Sequence, residues 1–178
     1  MKTVTWPLAD YELKGVEQGE GVALLLVHGS LCDYRFWSAQ IPVLAERYRV
    51  LAPSLRRCFP ERWRGEGGGF STEQHVADLI ELIEREGEPM HLLGHSRGGN
   101  VALRVAARRP ELVRSLLLAD PGGDFAVELF DGAGLAVPPA ADERNRFRRE
   151  ALQLIRDGQA EACLRLFVDT VSGVGIWE

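Results

Sequence analysis

The sequence predicts an α/β fold on a doubly wound, mostly parallel sheet, and three observations predict it. Val22-Ala23-Leu24-Leu25-Leu26-Val27 is an apolar run without alternation, and Ser115-Leu116-Leu117-Leu118-Ala119 reads as a second buried strand. Strands apolar at nearly every position are buried on both faces, as in a parallel sheet covered by helices. Helical spacing falls between such runs, and strands alternating with helices build parallel sheets. The third observation is the stretch Met90-His91-Leu92-Leu93, which ends in Gly94-His95-Ser96-Arg97-Gly98 before a strongly helical run. That is G-x-S-x-G in the strand, turn, helix setting that its mechanics require.

Taken in order, residues 3–6 and 11–16 read as the strands of an N-terminal hairpin. Gly19-Glu20-Gly21 breaks the chain before the first buried run, which ends in His28-Gly29-Ser30-Leu31. A helical stretch from Trp37 to Arg47 is interrupted or restarted at Pro42, where a proline lacks the N–H that a helix interior needs. Tyr48 to Pro53 is a strand. Arg56 to Phe70 is a loop, and its glycines at 65, 67, 68 and 69 suggest a mobile connection, since no Lys-Ser/Thr follows to make a phosphate cradle.

Ser71-Thr72-Glu73-Gln74 offers a capping box, and Val76, Leu79, Ile80 and Ile83 keep helical spacing until Gly87 and Pro89. After the central strand, Val101/Val105, Ala102/Ala106 and Leu103/Ala107 are apolar pairs four apart. Arg97, Asn100, Arg104 and Arg108 make one polar stripe, expected as a wet edge. Pro110 stops this helix. From Asp124 the character changes: Gly132, Gly134, Pro138 and Pro139 read as a linker, and two amphipathic helices follow. Their apolar stripes are Phe147/Ala151/Leu154/Ile155 and Ala160/Cys163/Leu164/Phe167/Val168/Val171. The expected organisation is therefore a core over residues 1–124 and a helical segment over 125–178.

At 178 residues the chain can bury one sizeable core. A formal net charge of −5 argues against a dedicated nucleic-acid surface, and the arginines at 144, 146, 148 and 149 are interspersed with Asp142, Glu143 and Glu150, as on a solvated helix face. Cys32, Cys58 and Cys163 are odd in number and fit no zinc pattern, so reduced thiols in a cytoplasmic protein are expected. Met1 to Pro7 has no apolar core of a signal peptide, and Val22 to Val27 is too short to span a bilayer. No cofactor and no metal are expected. His91-x-x-x-His95 has the spacing of two ligands on a helix, but here lies on strand and turn, so the pair is not expected to share a face. His75, among polar neighbours, is expected to be exposed.

The His28-Gly29-Ser30 turn and the elbow at Ser96, with the "YRVLAPS" strand and the "LADPGG" turn, resemble the α/β-hydrolase family, in particular its serine esterase and haloperoxidase-like branch. The resemblance covers residues from about 20 onward. It implies that Ser96 is the nucleophile, which needs a base to take its proton. It implies an oxyanion hole from the backbone N–H groups of Ser30 and Arg97, with His28 and Gly29 bracing the loop. A serine at the elbow points away from the epoxide hydrolase and dehalogenase branches, which place aspartate there.

In that family the order is serine, acid, histidine. His28, His75, His91 and His95 all precede Ser96. Asp120 is the one candidate acid, the other reading being a turn aspartate before Pro121. The resemblance thus implies further strands, and a histidine, from a C-terminal remainder or a second chain that completes the fold. Three functions stay open: the N-terminal part of a serine hydrolase acting on a small ester or related carbonyl substrate, a hydrolase-like ligand-binding module, and an inactive fragment.

Overall fold

The computed structural model describes residues 1–122, 140–173 and 175. The chain groups into two compact units, Met1–Asp124 and Phe125–Glu178. In the first, six strands form one sheet in the order β1-β2-β4-β3-β5-β6. Strands β1 (Lys2–Pro7) and β2 (Glu12–Gln18) make the expected hairpin, and β2 runs antiparallel to β4 (Arg49–Pro53). Strands β3 (Ala23–Val27), β5 (Met90–His95) and β6 (Val113–Ala119) continue the sheet in parallel. The mixed, mostly parallel sheet that the apolar runs predict is the one observed.

Every residue of β3 is buried, because the sheet has a core on each face. Leu25, Val27, Leu51 and Leu92 pack under α2 (Thr72–Glu86) and α3 (Arg97–Arg108), against Val76, Leu79, Ile83, Val101 and Val105. Leu24, Leu26, Val50 and Ala52 pack on the other face against Trp37 and Ile41. Trp37 ends a short 3-10 turn (Tyr34–Trp37) and Ile41 begins α1 (Ile41–Leu44), so the helical stretch expected from 37 to 47, interrupted or restarted at Pro42, is two short pieces with Pro42 in the first turn of the second. An apolar side chain that leaves water for such a core contributes roughly 1.5–3 kcal/mol.

Helix α2 starts at Ser71, whose Oγ accepts the Gln74 N–H at 3.0 Å, and stops at Gly87 in the left-handed conformation. The capping box is only half formed: the Gln74 side chain turns to Asp78 Oδ1, at 2.9 Å. The polar stripe of α3 runs along α2, buried at Asn100 and exposed at Arg108. Asn100 is buried and accepts from Arg104, and Arg104 and Arg108 reach Glu73.

Strand β6 departs from expectation. It lies at the sheet edge, with Leu117 57% and Leu118 39% exposed. A strand reads as buried from its apolarity alone, but burial requires a neighbour on both sides, and β6 pairs only with β5 among the described residues.

In the second unit, α4 (Ala140–Arg156) and α5 (Ala160–Ser172) form a helical hairpin in which the rings of Phe147 and Phe167 lie 6.2 Å apart. Ile155, Leu164 and Val171, expected on the apolar stripes, are exposed. Arg146, Arg149 and Glu150 are exposed, whereas the expected linker lies outside the described residues. Among the described residues no helix is long and apolar enough to cross a membrane.

Candidate functional site

Ser96 stands alone between the end of β5 and the start of α3, at φ 52 and ψ −124. A non-glycine residue in that region costs on the order of 1–3 kcal/mol and persists only where its surroundings over-determine it. Here they do. The Ser96 N–H donates to the Ala119 carbonyl at 3.1 Å, and its carbonyl accepts from Gly99 at 2.9 Å and Asn100 at 3.3 Å. The elbow also needs close approach. A Cβ on Gly94 would lie 2.6 Å from the Gly98 carbonyl oxygen, so any side chain there would drive the strand off the helix.

A serine before a helix usually caps it, its Oγ accepting an N–H of the first turn. In this backbone conformation Ser96 makes no such bond, and among the described residues its hydroxyl has no hydrogen-bond partner. Glycines flank it on two sides: a Cβ on Gly122 would lie 3.2 Å from Ser96 Oγ, and one on Gly29 would lie 3.1 Å from Ser96 Cβ. Among the described residues the main-chain N–H groups of Ser30 and Arg97 have no hydrogen-bond partner. The N-terminus of α3 adds a positive dipole end beside Ser96.

The histidines divide by their partners. His28 is buried; its Nε2 accepts the Leu55 N–H at 3.0 Å, so its Nδ1–H donates to the Gly29 carbonyl at 2.9 Å. Burial lowers its pKa and keeps it neutral. His91 Nδ1 bonds Ser115 Oγ at 2.7 Å, and the His95 ring stacks on Phe36 with centroids 4.6 Å apart. Contrary to expectation, His91 and His95 do share a face, because residues four apart in a strand always do. They are also roughly 13 Å apart at strand rise, too far for one ion. Among the described residues no His/Cys/Asp/Glu group could hold a metal.

His75, expected to be exposed, is fully buried. Its place one helical turn before Leu79 and two before Leu82 puts it on the inner face of α2, a spacing legible in the sequence. Its Nε2–H donates to the Arg56 carbonyl at 3.0 Å, and its Nδ1 accepts from Arg97 Nη2 at 2.8 Å. Burial, and next the charge of Arg97, push its pKa down to about 4. Beside it Arg56 bridges Asp78 and Asp10, with Nη2 contacts of 2.8 and 2.7 Å, an ion triad that composition did not announce. In the loop from 56 to 70 Arg57 donates to the Gly68 carbonyl, Trp63 stacks on Phe70, and the Arg97 guanidinium sits 5.1 Å from the Phe70 ring centre.

Asp120 follows directly on β6 at φ 45, exposed, and among the described residues its carboxylate has no partner. Cys32, Cys58 and Cys163 are free thiols. One cavity of about 480 Å³ opens beside the hairpin, lined by Leu8, Asp10, Tyr11, Ser54, Cys58 and Glu61 among others, and Ser96 is not among its lining residues.

A mostly parallel sheet thus lifts one serine from the carboxyl end of a central strand onto a helix start, the architecture of a hydrolase-type α/β fold. A profile described as "Alpha/beta hydrolase family" matches residues 24–175, and the chain belongs to that family. It is 33% identical over 125 residues to a fluoroacetate dehalogenase of a Burkholderia species, which covers 64% of this chain and 38% of the relative. It is 32% identical over 111 residues to a 2-hydroxymuconate semialdehyde hydrolase of a Pseudomonas species, covering 60% and 39%. An alpha/beta hydrolase from Sphaerobacter thermophilus shares the fold, with a TM-score of 0.70 over 97% of this chain and 62% of that one at 21% identity. The chain spans about two fifths of the length of those two curated relatives.

Proposed function

We propose that this chain is part of a serine hydrolase that cleaves a small ester or related carbonyl compound through an acyl-enzyme on Ser96. The observation that carries the reading is the Ser96 backbone, strained between β5 and α3, with a hydroxyl that caps nothing. Ser96 Oγ attacks the carbonyl carbon while its proton passes to a base. The carbonyl oxygen becomes an oxyanion facing the N–H groups of Ser30 and Arg97. Collapse expels the leaving group with the proton, and water then releases the acyl group and restores the hydroxyl. Each such donor contributes roughly 2.7–4 kcal/mol in the transition state. His28 and Gly29 brace the loop. The names of the two relatives support hydrolytic chemistry in general; the choice of serine chemistry rests on Ser96 itself.

Among the described residues His28 and His75 are committed at both nitrogens, His91 lies five residues back along β5, and His95 stacks on Phe36 with its Nδ1 buried and unpartnered, so none is seated as the base of Ser96. In this reading the base comes from polypeptide that pairs with β6, a continuation of this chain or a second one. The exposed Leu117 and Leu118 support this, because soluble proteins avoid bare apolar edge strands. Asp120, at the end of that strand, is the acid of the reading. A cytoplasmic setting is in keeping with three free thiols.

A second reading is a module that holds a ligand beside Ser96 without turning it over, and the commitment of His28 and His75 at both ring nitrogens favours it. With the polypeptide that supplies the base present, a fluorophosphonate probe with peptide mapping separates the two. A covalent adduct on Ser96 that is absent from Ser96→Ala supports the hydrolase. Equal labelling of both proteins, at other residues, overturns it.

A further inference from the structure

We infer that His75 is a positioning residue for the oxyanion side of the site, acting through Arg97 and hung, like His28, from the dipeptide Leu55-Arg56. Its catalytic consequence rests on the serine-hydrolase reading; its geometry does not.

The dipeptide follows β4 and offers one group to each ring. The Leu55 N–H can only donate, so His28 Nε2 must hold a lone pair and Nδ1 must carry the proton, which goes to the Gly29 carbonyl. That carbonyl and the Ser30 N–H are the two ends of one planar peptide unit, so the bond sets the direction in which the N–H points. The Arg56 carbonyl can only accept, so His75 Nε2 must carry the proton and Nδ1 must hold the lone pair, which takes the Arg97 N–H. Two neutral rings with opposite tautomers are thus specified by consecutive residues.

Arg97 carries the other proposed donor on its main chain, directly after the strained Ser96. Its side chain is partly buried, and among the described residues it has no carboxylate partner. What holds it is His75 Nδ1 at 2.8 Å and the face of Phe70, whose ring also meets His75 edge-on with centroids 5.3 Å apart. Fixing the guanidinium restrains Arg97 at the end opposite its peptide, and so resists rotation of the Ser96–Arg97 peptide out of its strained orientation. The groups facing His75 are Arg97 from α3, Asp78 from its own helix, Arg56 from the segment after β4, and His28 from after β3. Asp78 is bound to Arg56 and Gln74, so a proton added at Nδ1 would face the Arg97 cation with no free anion beside it.

Two substitutions divide the ring's roles. In His75→Asn an amide oxygen stands near the Nδ1 position and still accepts from Arg97, while the bond to Arg56 is lost. In His75→Gln the amide nitrogen stands near Nε2 and still donates to Arg56, while the acceptor is lost. In nitrogen-edited NMR of the full chain, the Arg97 amide is expected near its parent position in His75→Asn and displaced in His75→Gln, with the Ser30 amide unmoved in both. Phosphonylation of Ser96 is expected to slow about tenfold in His75→Gln, a fraction of the loss of a whole donor, and to stay near the parent rate in His75→Asn. An unmoved Arg97 amide in His75→Gln overturns the inference, as does equal slowing in both variants. Because a buried position tolerates change poorly, the parent protein gives a test of its own. The nitrogen shifts of the His75 ring must report a protonated Nε2 and a bare Nδ1, and the reverse tautomer overturns the inference. Failure of Ser96 to label in the parent with the base-bearing polypeptide present counts against the nucleophile alone, since the amide and ring shifts still decide the positioning.

Discussion

A Cβ placed on Gly98 would lie 2.2 Å from the carbonyl oxygen of Val27. The first turn of α3 therefore rests directly on the end of β3, and His28-Gly29-Ser30 emerges from that same contact toward Ser96. The elbow and the loop that faces it are held together by main-chain packing, which no side-chain rearrangement can relieve.

Gly98→Val is accordingly expected to damage folding more than chemistry. The obstacle is a carbonyl in the central sheet, so the overpacking cost should reach about 3 kcal/mol or more. Denaturant unfolding checks it: a variant with the parent's midpoint but no Ser96 labelling would show the balance to be reversed.

Ser96→Ala should leave the fold intact, because the serine hydroxyl makes no cap bond and the main-chain bonds to Ala119, Gly99 and Asn100 do not need it. Fluorophosphonate labelling should vanish while the melting temperature stays within a degree or two. A large fall in stability would mean that Oγ holds the elbow together.

Asp78→Asn should cost about 3 kcal/mol, the usual scale for stripping one partner from a buried ion pair. Asp78 is 2% exposed and binds Arg56 through two oxygens, whereas Asp10 holds the same guanidinium from the solvent side. Asp10→Asn should therefore be much milder. Comparable losses in urea for the two variants would contradict this division.

Stability should fall as the pH drops from about 6.5 toward 4. The His75 side chain binds its proton near 6.5 in an unfolded chain but only near 4 in the folded one. Between those values the unfolded state holds more protons, so acid favours it, and above the window the effect is flat. A gap of that size is worth roughly 3 kcal/mol. Buried His28, also pushed down, acts in the same direction. Urea midpoints at pH 7 and 4.5 check it, and His75→Asn should flatten the slope between them.

Leu117→Lys should barely change the stability of the isolated chain, since that side chain is 57% exposed. It should reduce binding of a hydrophobic dye and self-association through the β6 edge. Unchanged dye binding would show that the edge is not the apolar surface in question.

The sequence by itself determined the sheet, the elbow and the nucleophile candidate. Continuous apolarity from Val22 to Val27, helical spacing in α2 and α3, and glycines at 94 and 98 are local signals, each set by a few neighbouring residues whose period or size can be read directly. It could not determine how much of β6 is buried, because burial of a strand depends on what lies beside it, and Leu116-Leu117-Leu118 looks the same at the centre of a sheet as at its edge. Nor did it disclose His75. Its spacing from Leu79 and Leu82 placed it inward, yet a histidine with polar neighbours reads as exposed until its two partners are known, and both come from elsewhere in the chain. The Arg56 carbonyl and the Arg97 guanidinium reach that ring only because β4 and α3 converge on α2 at the carboxyl end of the sheet. Pairings between groups 19 and 22 residues away carry no local period, so only the tertiary structure could decide them.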